Sequence, residues 1–224
     1  MKTYFFVLFQ IFLVQCVLFA QSERKSVLLN TGSDFVPFNV KVSEEIYQEK
    51  KSLTVIDLGK DSEVKFVKIK NLNFRNGSIE INLAGTTMAN SSEQARGFVG
   101  IAFRINDDNS KFECFYLRPT NGRADDQVRR NHSAQYISFP EFPWFKLRKD
   151  FPEKYESYVD LVPGEWTKVR IEVEGNRAKL FVHGNSQPTL IVNDLKHGPE
   201  AEGNIGLWIG PGTVAHFADL YVSN

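Results

Sequence analysis

Between Tyr116 and Tyr136 the chain reads YLRPTNGRADDQVRRNHSAQY. Arg118, Arg123, Arg129 and Arg130 are interleaved there with Asp125, Asp126 and His132, and Asn121 and Asn131 sit among them. A guanidinium offers paired N–H donors that match a carboxylate, sulfate or phosphate, and side-chain amides both donate to and accept from hydroxyls. This spacing predicts a site for a polar, hydroxyl-rich or anionic ligand. The alternation of sign also predicts internal pairing of the arginines with Asp125 and Asp126, because a connection with so little apolar side chain to bury needs another way to be ordered. His132 titrates near neutrality, which suits a general base and equally suits a loop histidine tied to its own backbone.

Two flanking segments extend the candidate site. FPEFPWFKLRKDFPEKYESY, rich in proline and aromatics, reads as an ordered flap in which Trp144, Phe142 and Phe145 either stack on sugar rings or plug a sheet edge. In GSIEINLA, Ile79, Ile81 and Leu83 point one way, and Glu80 and Asn82 the other. Glu80 is therefore a solvent-facing strand residue or a carboxylate looking into a groove.

Strands must position these groups. Candidates are 53–58, 64–70, 78–84, 98–105, 111–118, 135–138, 158–162, 167–174, 177–183, 189–192, 204–209 and 213–222. Turn signals such as Asn76-Gly77, Gly175-Asn176 and Gly210-Pro211-Gly212 separate them. One short helix is expected over 43–51. Many short strands with regular turns predict an all-β antiparallel sandwich or barrel. Parity places Val99, Ile101, Phe103, Phe115 and Leu117 on a core face. Gly100, Ala102, Arg104, Cys114, Tyr116 and Arg118 then share the opposite face, a small-residue floor flanked by a tyrosine and arginines. In the hairpin around Gly175-Asn176, Glu172 should oppose Lys179 and Glu174 should oppose Arg177 as solvated pairs.

The 224 residues, 42% hydrophobic, suit a single domain, expected over 21–224. Lysines and arginines total 27, as do aspartates and glutamates, so nothing draws the chain to nucleic acid or an anionic membrane. Lys2 followed by an apolar run to Ala20 reads as a signal peptide over 1–20 rather than a membrane anchor, which predicts export to a periplasmic or extracellular space with no stable insertion of the mature chain. Past that segment Cys114 is the single cysteine, so no internal disulfide is expected, and its apolar strand context reads as core. Asn76, Asn90 and Asn131 stand in Asn-x-Ser acceptor sequences.

PGEWTKVRIEVEGNRAKLFVHG and GNIGLWIGPGTVAHFADLYV resemble the closing strands of the concanavalin A-like jelly rolls, a superfamily of laminin-G-like modules, legume lectins and glucanases. Phe115-Tyr116-Leu117-Arg118, followed by Gln135-Tyr136, is similar to a strand pair of the 3-keto-disaccharide hydrolase branch. The resemblance implies a β-sandwich jelly roll that holds a saccharide or glycoside in a groove built from Arg104, Tyr116, Arg118, Asn121, Arg123, Arg129, Tyr136 and Trp144. It leaves open a glycoside-cleaving enzyme using His132, Glu80 or Asp126 as acid/base, and a non-catalytic protein-interaction module. The glucanase signature Glu-x-Asp-x-x-Glu is absent from the sequence. No cofactor is expected, with calcium at Asp219, where related jelly rolls bind it, the one metal the resemblance suggests.

Overall fold

A computed structural model describes residues 24–62 and 64–224, so the expected signal segment lies outside the described residues. Fifteen strands pack as two antiparallel sheets. In chain order they are β1 (Lys25–Val27), β2 (Phe35–Phe38), β3 (Val40–Tyr47), β4 (Lys50–Asp57), β5 (Phe66–Phe74), β6 (Gly77–Thr87), β7 (Val99–Ile105), β8 (Phe112–Leu117), β9 (Ala134–Phe139), β10 (Glu156–Ser157), β11 (Thr167–Glu174), β12 (Arg177–Val182), β13 (Leu190–Val192), β14 (Gly203–Ile209) and β15 (Thr213–Ser223). Two short helices, α1 (Gln127–Asn131) and α2 (Trp144–Asp150), interrupt them. The first sheet runs β13-β12-β11-β6-β15-β4-β3, with β1 added on β15; the second runs β10-β9-β8-β7-β14-β5-β2. This is a β-sandwich, one of the two architectures that the strand rhythm predicts, and the jelly roll that the resemblance implies.

The core lies between the sheets and follows the alternation of the sequence. Ile79, Ile81, Leu83, Val169, Ile171, Val173, Leu180 and Val182 face Val99, Ile101, Phe103, Phe115, Leu117 and Leu207, all buried. Each such side chain contributes on the order of 1.5–3 kcal/mol by leaving water. The β11–β12 register matches expectation: Val169 opposes Val182, Ile171 opposes Leu180, and Glu172 opposes Lys179. The carboxylate of Glu172 pairs with Arg170 of its own strand instead of crossing to Lys179. Cys114 is fully buried in β8, and burial pushes its thiol pKa well up, so it is an inert core residue.

Two local expectations fail, and two elements go unforeseen. The segment 43–51 is not a helix but the β3–β4 hairpin, closed by Gln48 and Glu49, both at positive φ (42° and 66°). β3 is the edge strand of its sheet, and charged edge strands are a common defence against further pairing, so its composition mimics a helix. The expected strand over 158–162 is irregular chain, and only Glu156–Ser157 pairs with β9. Both helices escape the sequence reading because they are short: α1 buries no residue and α2 buries only Leu147, so neither shows a period.

Candidate functional site

A transverse row of paired residues crosses the outward face of the second sheet. Trp208 opposes Gly100, Gly100 opposes Tyr116, Tyr116 opposes Gln135, and Gln135 opposes Glu156. Gly100 lets this row close up. A Cβ there would lie 2.2 Å from the Phe115 carbonyl oxygen and 2.5 Å from the Tyr116 Cβ. The space above it is taken by the Tyr116 ring, which packs on Trp208 at 4.8 Å between centroids. The small-residue floor is thus roofed by aromatics, and the open space lies beside them.

That space is a cleft of about 580 Å³, within the usual range for small-ligand sites. Phe98, Tyr116, Trp208 and Trp144 form its aromatic walls; Arg96, Arg118, Arg129, Arg148, His132, Asn121 and Asp126 form its polar lining. Trp144 remains 42% exposed and is the aromatic most open to a ligand.

Helix α2 carries Trp144 and Arg148 four residues apart, hence on one face, with Leu147 buried beneath them. The Arg148 guanidinium lies 4.9 Å from the Trp144 ring and donates through Nε and Nη2 to both carboxylate oxygens of Glu156, at 2.7–3.2 Å. This fork fixes the helix on β10. Arg118, 5% exposed, donates to the His132 carbonyl (2.9 Å), the Tyr116 hydroxyl (2.8 Å) and the Gln135 amide oxygen (3.1 Å). Asn121 donates to the same His132 carbonyl at 3.2 Å and accepts from Arg129 Nε at 2.9 Å. Arg129 also donates to the hydroxyl and carbonyl oxygens of Thr120, while Asp126 caps α1 by accepting from the Arg129 amide. The charged connection is therefore ordered largely by neutral oxygens. The expected lattice of arginines on Asp125 and Asp126 does not form.

His132 Nδ1 lies 2.8 Å from Glu156 Oε2, close but poorly aligned for a hydrogen bond. Burial lowers its pKa; the Glu156 carboxylate opposes that shift, and Arg148 and Arg118 add to it. The imidazole is accordingly mostly neutral at pH 7.

Of the residues expected from sequence, His132, Asp126, Tyr116, Arg118, Asn121, Arg129 and Trp144 meet at this cleft. Four others do not. The β7–β14 pairing carries one extra residue in β7 near Phe103 and Arg104, and Arg104 takes a positive φ of 54°. This bulge breaks the alternation on which its placement relied. Arg104 is buried and donates to the carbonyls of Arg75, Gly175 and Gly198, bracing three turns. Tyr136 opposes Phe115 and so faces the core, where its hydroxyl donates to Glu113 and accepts from the Lys196 amide. Burial, then the Glu113 charge, pushes its pKa well up, so the phenol stays protonated. Arg123 forks onto Asp160 at 2.8 Å on the exposed surface. Glu80 lies on the other sheet, ion-paired to Arg24 (3.1 Å) and Lys168 (3.7 Å).

Asp219 does not fit a calcium site: its carboxylate already accepts from Lys50 Nζ and the Asn82 amide, each at 2.7 Å. Among the described residues no group of three or more histidines, cysteines or acids is gathered as metal ligands. Arg96, Phe98, Arg148, Glu156 and Trp208 were not anticipated as parts of the site. The Arg148–Trp144 spacing of four is the one signal in sequence that points to any of them.

No family model matches the chain. No curated protein matches it either. Among solved structures it is similar to the carbohydrate-binding module CBM66 from Bacillus subtilis, with a TM-score of 0.56 and 12% identity over 88% of this chain and 100% of that one. It also aligns with a β-glucanase from Bacillus licheniformis (TM-score 0.44, 13% identity, 90% of this chain and 92% of that one). A third alignment is with the galectin LEC-6 from Caenorhabditis elegans (TM-score 0.42, 14% identity, 69% of this chain and 89% of that one). The first similarity speaks to the fold alone, a two-sheet antiparallel β-sandwich, and the other two are too distant to add to it.

Proposed function

We propose that this chain is an exported carbohydrate-binding domain that holds a saccharide in the cleft on the outward face of its second sheet. The observation that carries this reading is the composition of that cleft. One exposed indole, Trp144, stands beside hydrogen-bonding side chains that the protein itself holds in place, Arg118, Asn121, Arg129 and Arg148. Sugar rings present C–H faces to an aromatic wall and hydroxyls to such donors, and donors already fixed lose little entropy on binding. The similarity of fold to a carbohydrate-binding module agrees with this reading.

A glycan array followed by calorimetry on the retained sugars tests it. Wild type is expected to bind a saccharide, and Trp144→Ala to weaken binding at least about tenfold, roughly 1.4 kcal/mol. A silent array, or full affinity in the Trp144 variant, would overturn the proposal and favour a protein-interaction module.

One observation favours a second reading, glycoside cleavage. His132, mostly neutral at pH 7, and Asp126 line the same cleft, so a proton acceptor and a carboxylate flank the proposed saccharide. Turnover of ordinary or 3-keto glycosides that disappears in His132→Gln would support it; binding without turnover of either would reject it.

A further inference from the structure

The cleft holds more positive charge than its surroundings neutralise. Four arginines line it, and only Arg148 is matched by a carboxylate, through its fork with Glu156. The hydrogen-bond acceptors of the other three are neutral. Arg96 donates to the carbonyls of Glu93 and Ala95, Arg118 to a carbonyl, a hydroxyl and an amide oxygen, and Arg129 to Asn121 and Thr120. Those bonds engage three of the five N–H groups on each of Arg118 and Arg129, and two of the five on Arg96. Asp126, the one acidic lining residue, turns an oxygen to the backbone of α1. The concentration is local, since basic and acidic residues balance at 27 each over the whole sequence.

Arginines gathered in excess of the carboxylates beside them repel one another. Arg96, Arg118 and Arg129 line one cleft, and the Arg96 pKa is lowered by burial first, then by Arg129 and Arg118. That of the almost fully buried Arg118 is lowered by burial first and also by Arg148, while Tyr116 and the Glu156 carboxylate oppose the shift without reversing it. Guanidinium groups stay protonated under such shifts, so the charge persists. A fold that only needed to brace a loop had Asp125 and Asp126 next in sequence for the purpose and uses neutral oxygens instead.

Resting on the saccharide reading of this cleft, we infer that its ligand carries an anionic substituent, a carboxylate or sulfate, received by Arg96, Arg118 and Arg129, while Trp144 takes the sugar ring. A uronic acid and a sulfated sugar share this chemistry.

The test is calorimetry with three matched oligosaccharides: one neutral, one with the corresponding uronate and one sulfated. The inference expects the uronate or the sulfate, whichever fits, to bind at least about tenfold more tightly than the neutral form, the scale of one charge-assisted hydrogen bond. Arg96→Gln and Arg129→Gln should erode that preference, and added salt should weaken the acidic ligand far more than the neutral one. The salt titration uses wild type alone, so it stands even if a variant misfolds. Equal, salt-insensitive binding of all three sugars would overturn the inference and leave the saccharide reading intact. Failure of all three and of a wider array would overturn both.

Discussion

Tyr116 and Arg118 are the two site residues that strand alternation identifies without help. Tyr116 points outward from β8 because Phe115 and Leu117 point in, as its pairing with Gly100 confirms, and Arg118 follows one residue past the strand end and lines the same cleft. The same rule fails at Arg104, where one extra residue in β7 reverses it, and a bulge leaves no mark in a pattern of apolar residues. Tyr136 turns inward through its pairing with Phe115. Arg96 and Glu156 carry no signal in the sequence for a different reason: each comes from a segment outside the charged connection, and only folding brings them to it. Gly100 tests the residue-scale account. Gly100→Ala forces a Cβ against the Phe115 carbonyl oxygen and the Tyr116 side chain, so it should cost about 1–3 kcal/mol through overpacking and displace Tyr116 from Trp208. Thermal unfolding checks the first effect and indole fluorescence the second; an unchanged melting temperature would contradict the placement of the ring.

At the scale of elements, β6, β11 and β12 are legible because alternation buries one side of each, and β7 to β9 and β14 because they are buried almost throughout. The β3–β4 hairpin is not, since β3 is a charged edge strand and its turn lacks glycine. Glu49 sits at φ 66°, a conformation that glycine adopts without strain. Glu49→Gly should therefore stabilise the protein by about 0.5–1 kcal/mol in chemical denaturation. Helix α2 depends on one anchor, Leu147. Leu147→Ala should cost about 2–5 kcal/mol if the helix stays docked, and less if it frays. Fraying is the expected outcome, with faster amide exchange over Trp144–Asp150 and weaker saccharide binding appearing together. Weaker binding without faster exchange would show that α2 does not act by presenting Trp144 and Arg148.

Across the whole molecule, both sheets contribute to the buried core, and the outward face of the second carries the cleft. The molecule's stability should depend on pH through two histidines, His132 at the end of α1 and His216 in β15. Burial lowers the pKa of His132 and of His216, so the unfolded chain binds more protons than the folded one near their ordinary value. That stability is complete above about pH 6.5 and is lost as pH falls through the lowered folded values. Asp194 adds a loss at stronger acid. Burial alone would raise its pKa, but hydrogen bonds from Tyr155, Lys196 and Lys154 outweigh that and hold it at about 2. Melting temperatures should fall between pH 7 and 5, and fall less in a His132→Gln/His216→Gln variant; a flat profile in wild type would contradict the burial argument. The central claim is the location of the saccharide, and amide hydrogen exchange with and without a bound oligosaccharide tests it most directly. Protection concentrated in residues 92–98, 116–132 and 144–148 is the predicted result, and protection on the sheet that carries Glu80, with none around the cleft, would contradict it.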